Sequence, residues 1–324
     1  MVEPTIHVWY GRHQRFAAAG HASRFVNIVG SVAPAREIHA VAYQLNGGRL
    51  TPLPLGPTAF RLLGEGDFNV ELESADLAPG ANTLTLRAVS RQGGQSSVDV
   101  TIDYVPDAPV PPLPWTVRWA DAASVPDLAQ VIDGHWTLTD GGLRTVEIGY
   151  DRLAAVGDVG WRDVVVTVPI TIHRYTDLPA AYGWPSHGAG VGVLLRWQGH
   201  SDWHDLMPRR GYLPFGAIAW GAIGTGDADR RMQLYSGADG STLAKRSDRV
   251  IPVGSPTMLK AAVQSQEGRP SLYRMKLWPA GAAEPSGWDL QAENLDGELD
   301  SGSVVLLAHH TDATFGDVLI EPLA

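Results

Sequence analysis

The sequence contains no cysteine. Disulfides, thiolate metal sites and cysteine nucleophiles are thereby excluded. Lysine is nearly absent: Lys245, Lys260 and Lys276 are the only ones, and the other basic side chains are arginine. The formal net charge of −10 argues against a nucleic-acid or anionic-membrane partner, since both need clustered cations. The longest apolar run, Val164 to Ile172, is far shorter than the roughly 20 residues of a membrane-spanning helix. The opening MVEPTIHVWY has no basic stretch leading into an apolar one, so it does not read as a signal peptide. No segment carries a sustained helical period with caps.

What is plentiful is turn chemistry. The 36 glycines and 23 prolines fall between short apolar runs, which favours strands joined by turns. Hydrophobic content of 44% and charged content of 19% are globular values. A chain of 324 residues has room for two cores. Residues 1–105 read as a first all-β unit, with the Asn46-Gly47-Gly48 hairpin signal and strict alternation from Thr83 to Val89. Residues 106–114 are a proline-rich linker, extended and semi-rigid, across which few contacts are expected. Residues 115–324 form a second unit with longer strands and all the tryptophans except Trp9. Pro169 interrupts its Trp161 to Tyr175 run, which predicts an edge strand or a bulge.

The stretch from Gly188 to His204 organises this second unit. Val191, Val193, Leu195 and Trp197 alternate with Gly190, Gly192, Leu194 and Arg196. One face is apolar and suits a core. Glycines on the other often mark a close approach by a ligand or a second backbone.

Two resemblances follow from these residues. Leu77 to Ala88, L-x-P-G-x-N-x-L-x-L-x-A, resembles the penultimate strand of immunoglobulin-like modules in bacterial surface proteins, which implies a spacer or docking platform. The GVGVLLRW strand, the Tyr273 to Trp288 stretch and the closing Phe315 to Leu323 strand resemble the concanavalin A-like, laminin-G-like jelly roll of lectins and glucanases. The resemblance implies an all-β chain, an immunoglobulin-like sandwich followed by a jelly roll with one concave sheet. It specifies a fold and not a reaction, because its members include lectins, binding modules, hydrolases and lyases.

On that reading the chain is a secreted or cell-surface bacterial glycan-binding protein, its leader absent from the sequence, with a cytoplasmic location still open. The concave face would carry Gly190, Gly192, His173, Arg196, Gln233, Tyr235 and Lys260, with Trp184, Trp203 and His200 at its rim. Arg196 is expected in the groove, where a guanidinium can pair with an acidic sugar. The alternative is a polysaccharide-degrading enzyme using the same groove. Its support is thin: Glu298-Leu299-Asp300 lacks the third acid of the glucanase strand, and Tyr273-Arg274-Met275-Lys276 only faintly resembles a lyase motif. Calcium is common in the superfamily, often near the closing strand, which makes Asp312 and Asp317 the candidate ligands. The His200–His204 segment with His187, His309 and His310 has residue types suited to zinc but no convincing spacing, so surface histidines are the expectation.

Overall fold

The computed structural model describes residues 2–58, 60–176, 188–199, 213–223, 230–294 and 299–323. Among these the chain is all-β, its only helices being single 3-10 turns. The first unit holds β1 (Thr5–Val8), β2 (His13–Phe16), β3 (Phe25–Ala33), β4 (Ile38–Leu45), β5 (Leu50–Pro52), β6 (Asp67–Glu73), β7 (Gly80–Ser90) and β8 (Gln95–Tyr104). They make two sheets, β1-β3-β6 and β2-β8-β7-β4-β5. Alternation such as Leu84, Leu86 and Ala88 in β7 sends one face of each sheet into a shared core with Ile28, Phe68 and Ile102.

The second unit begins with β9 (Trp115–Val117), β10 (Gln130–Asp133), β11 (Trp136–Thr139), β12 (Gly142–Thr145), β13 (Arg152–Val156), β14 (Val164–Tyr175), β15 (Gly190–Trp197) and β16 (Ala217–Ala222). It continues with β17 (Arg231–Ser236), β18 (Thr242–Arg246), β19 (Thr257–Gln266), β20 (Arg269–Pro279), β21 (Leu290–Glu293), β22 (Ser303–His309), β23 (Thr311–Phe315) and β24 (Val318–Pro322). A seven-stranded sheet, β10-β13-β22-β15-β16-β17-β18, stacks on a nine-stranded one built around β11-β12-β23-β14-β19-β20-β21. Val191, Val193 and Leu195 of the first meet Val166, Val168 and Ile170 of the second in the large core between them. The result is a β-sandwich.

Pro169 does not sit on an edge. On one side β14 pairs with β19 from Val164 to Ile170. On the other it pairs with β24 up to Thr167 and with β23 from Ile170. Pro169 occupies the handover between the two, where no neighbour needs the N–H that proline lacks. Its carbonyl still accepts from Gly316 N at 2.8 Å.

No described strand pairs across the proline run, yet the expectation of few crossing contacts is corrected. Arg61, 4% exposed, reaches from the first unit to Asp133 Oδ1 at 2.6 Å and donates to the Ile132 carbonyl at 2.9 Å. It also pairs with Glu71 Oε1 of its own unit at 2.7 Å. From the other side, Arg152 donates to the carbonyls of Phe60 and Arg61 at 3.1 and 3.2 Å. Tyr10 Oη accepts from Trp136 N at 2.9 Å, and Trp9 stacks on His135 with ring centres 4.4 Å apart. The linker is packed in as well, since Trp161 Nε1 donates to the Pro111 carbonyl at 3.0 Å. A chain thread became a sutured joint.

A buried ion pair strands its partner when one member is removed, at a cost of about 3–5 kcal/mol. Arg61→Ala should lower the free energy of unfolding by that amount, because Glu71 would lose its paired cation and Asp133 would keep only the charge of nearby Arg152. Urea denaturation of the full chain checks this. A loss below about 1 kcal/mol would mean that the joint does not persist in solution.

Candidate functional site

The outer face of the seven-stranded sheet is not the open polar groove the alternation predicts. Leu194 and Trp197 lie on it with Ile132, Leu153, Ile218, Trp220, Tyr235, Val305 and Leu307, all buried. Every residue of β15 is buried on one face or the other.

Two local events explain the difference. The first is a bulge: the β15–β22 register shifts between Leu194 and Trp197, and Arg196 takes φ +53°. That kink exchanges the parity of the last two residues. Trp197 goes to the outer face, and Arg196 turns toward the nine-stranded sheet instead of a groove. Its side chain is 1% exposed and donates to Ser271 Oγ at 2.9 Å, the Leu299 carbonyl at 2.7 Å and Ser265 Oγ at 2.7 Å. It also pairs with Asp163 Oδ1 at 3.1 Å. Arg196 is a structural clamp.

The second event concerns the glycines. A Cβ on Gly190 would lie 2.4 Å from Trp220 Cζ2, and one on Gly192 would lie 3.0 Å from Trp220 Cε3. The indole therefore lies across both residues. The space they leave is filled by the neighbouring strand, and a larger side chain at either position would collide with Trp220 and with the β16 backbone.

The other predicted site residues divide between the two sheets. Gln233 and Tyr235 of β17 do share the outer face with Gly190 and Gly192. His173 and Lys260 belong to the nine-stranded sheet, on β14 and β19, and cannot join them. His173 Nε2 is 2.8 Å from Thr314 Oγ1, and Lys260 pairs with Glu284 at 2.9 Å. Trp184, Trp203 and His200 lie outside the described residues.

The candidate calcium ligands are spoken for. Burial alone would raise the Asp312 carboxyl, but hydrogen bonds and charge from Arg144, and a further bond from Arg174, hold it below its ordinary range. Asp317 Oδ1 accepts from Trp119 N at 3.1 Å. Among the described residues, no three His, Asp or Glu side chains gather as a metal site.

One rim of the same sheet is chemically different. His309 of β22 lies opposite Gly190, Gly190 opposite Ala222, and Ala222 opposite Arg231, so base and guanidinium share one row with the two smallest residues between them. Trp220 sits 6.2 Å from the His309 ring, centre to centre, and opposite Gln233. His309 Nδ1 is 2.7 Å from Asp151 Oδ1, and Tyr150 packs edge-on against His309 at 4.7 Å. The first unit closes the corner: Phe60 meets Tyr150 at 4.8 Å. Arg231 Nε donates to Gln233 Oε1 at 2.6 Å.

Two marks single this rim out. Asp151 and His310 both adopt the left-handed region, with φ of +37° and +51°, a conformation uncommon outside glycine. Among the described residues, Trp220 Nε1, Gln233 Nε2, Asp151 Oδ2 and His310 Nδ1 are also buried without a hydrogen-bond partner. Desolvation, reinforced by the adjacent His309, pushes His310 down to about 4 and keeps its ring neutral. Nearby, burial and then Asp67 raise the Glu147 carboxyl.

Sequence reasoning placed His309 and His310 among surface histidines, and it passed over Asp151. The histidines and Asp151 stand about half the chain apart in sequence. No motif could have joined them.

No protein-family model and no curated protein matches the chain. Solved structures do. The calcium-bound exoplasmic/lumenal domain of VIP36 aligns at 13% identity and a TM-score of 0.38, over 59% of this chain and 82% of that one. A Bacillus subtilis protein with a galectin-like fold aligns at 11% identity and 0.38, over 60% and 86%. A structure from endo-acting O-glycanases of the human gut microbiota aligns at 10% identity and 0.40, over 65% and 99%.

Two measurements test these assignments. Arg196→Ala should cost about 1–3 kcal/mol of stability, the cost of leaving its buried hydroxyl and carbonyl partners unpaired, where a groove residue would cost little. The His310 contribution has a definite sign. Its folded value is depressed below the ordinary 6.5, so the unfolded chain takes up the proton first. Stability from His310 is therefore complete above pH 6.5 and is lost as the pH falls toward 4. The wild-type curve should fall across that window relative to His310→Gln, and parallel curves would contradict a buried neutral imidazole.

Proposed function

We propose that the chain binds a glycan at the rim formed by Trp220, His309, Gln233 and Arg231. One observation carries this reading: an indole laid over Gly190 and Gly192, next to buried donors and acceptors that find no partner among the described residues. Each such group costs about 1–3 kcal/mol while it stays unpaired. Sugar hydroxyls both donate and accept, so a single ring could satisfy the Trp220 Nε1–H and Gln233 Nε2–H of two paired residues together. Arg231 beside Gln233 favours a ring with an acidic or strongly polar substituent.

The reading extends to the whole chain. The jelly roll of residues 115–324 carries the glycan site, and residues 1–105 act as an immunoglobulin-like platform held against it through the 106–114 linker. A secreted or surface-attached protein would use such an arrangement. The site in this reading is a corner where both units meet, in keeping with the preference of ligand sites for domain junctions.

Affinity electrophoresis of the full chain against a panel of neutral and acidic polysaccharides tests the proposal. Trp220→Phe keeps an aromatic ring and removes the N–H, so it should weaken binding by about 0.5–1.5 kcal/mol, the net value of one hydrogen bond. Trp220→Ala should weaken it further. Retention unchanged in both variants, with the fold intact by circular dichroism, would place the site elsewhere.

A further inference from the structure

The same rim contains more than a binder needs. We infer that His309 is a general base and that the chain hydrolyses an ester carried by its glycan, an O-acyl group on a sugar hydroxyl; this rests on the glycan-binding reading. The dyad supplies the first argument. Asp151 Oδ1 at 2.7 Å from His309 Nδ1 fixes the tautomer with the proton on Nδ1, leaving the Nε2 lone pair to accept one. No described residue hydrogen-bonds Nε2. The φ of +37° at Asp151 and +51° at His310 shows that the backbone on both sides of the dyad is held away from its relaxed state. Such strain persists where surrounding structure over-determines it and collects at active sites.

The unpaired donors supply the second argument. Trp220 and Gln233 face one another across adjacent strands, 4% and 1% exposed, and the indole centre is 6.2 Å from the His309 ring. Trp220 Nε1–H and Gln233 Nε2–H have no acceptor among the described residues. An N–H group held unpaired beside a base, as Trp220 Nε1–H is, can stabilise negative charge as it develops on a carbonyl oxygen. Glycoside hydrolysis by paired carboxylates fits less well, because Asp151, the carboxylate in contact with His309, is committed to orienting it.

The step balances without a cofactor. A water molecule attacks the acyl carbon while His309 Nε2 takes one of its protons. The carbonyl π pair moves onto oxygen, where the Trp220 N–H group holds it. The oxyanion then re-forms the carbonyl, and the bond from acyl carbon to sugar oxygen breaks. His309 returns the proton to that oxygen. The products are a carboxylic acid and a free sugar hydroxyl.

The test incubates the full chain with acetylated xylan, with the same polymer after saponification, and with p-nitrophenyl acetate, following released acetate or nitrophenolate. Acetate release is expected from the acetylated polymer, falling about 10²–10⁴-fold in His309→Gln, the range for a general base. Trp220→Phe should lower it about 10²–10³-fold, the range for one oxyanion donor. Asp151→Asn should lower kcat while leaving KM near wild type, which a purely structural role would not do. Should His309→Gln fail to fold, Trp220→Phe decides. Binding to the polymers with no acetate release, or release unaffected by His309→Gln and Trp220→Phe, overturns the inference while leaving glycan binding intact. Hydrolysis of p-nitrophenyl acetate that depends on His309, with neither polymer bound, keeps the base and overturns the glycan reading.

Discussion

A guanidinium buried between the two sandwiches sets the geometry of the rest. Arg61 cannot be desolvated without counter-charge, and it finds that charge in Glu71 of its own unit and Asp133 of the other. The pairing ties β6 to β10, the edge strand of the seven-stranded sheet. Arg152 repeats the device from the opposite direction by donating to the Phe60 and Arg61 carbonyls. Because Arg152 opens β13 next to Tyr150 and Asp151, the joint also fixes where the dyad stands. Burial lowers the proton affinity of Arg152, and the carboxylates around it, Asp133 first, work against that effect. Stability and site placement thus draw on one set of charges.

Covering the outer face of the seven-stranded sheet has a second consequence. A strand buried on both sides should read as continuous apolar sequence, and β15 very nearly does. Its exceptions are the glycines and Arg196. The glycines accept an indole from β16, which an alanine at either position would displace. The arginine escapes through a left-handed residue that turns it into hydrogen bonds at the far end of the core. With the middle of the face closed, polar capacity is pushed to the rim where β15 begins and β22 ends. There strand register brings Trp220 near His309 on one side and opposite Gln233 on the other.

Strain and unsatisfied polarity coincide at that rim. The left-handed residues at 151 and 310 flank a buried imidazole–carboxylate contact, and atoms without partners surround it. Either feature alone would be a minor cost of folding. Together they carry the reading of this rim as the proposed glycan site.

The sequence by itself determined the all-β class, most strand positions and the two groups of strands on either side of the proline run, because alternation and turn chemistry are local. It also identified Gly190 and Gly192 as a close-approach site, although it could not say that the approaching group would be Trp220. What alternation cannot register is a bulge, since one left-handed residue at Arg196 reverses the facing of everything after it. The Pro169 run shows a similar limit: β14 carries a bulge between Ile172 and Arg174, one of the two outcomes expected, but strand interior or edge depends on where β24 stops and β23 starts, which are facts about other segments. The dyad was illegible because Asp151 and His309 meet only through the pairing of β13 with β22. The fate of Arg61 was equally hidden, since nothing local says that an arginine between two short strands will be buried against another unit. Local pattern wrote the strands, and tertiary pairing, through register and the need to neutralise buried charge, chose which side chains meet.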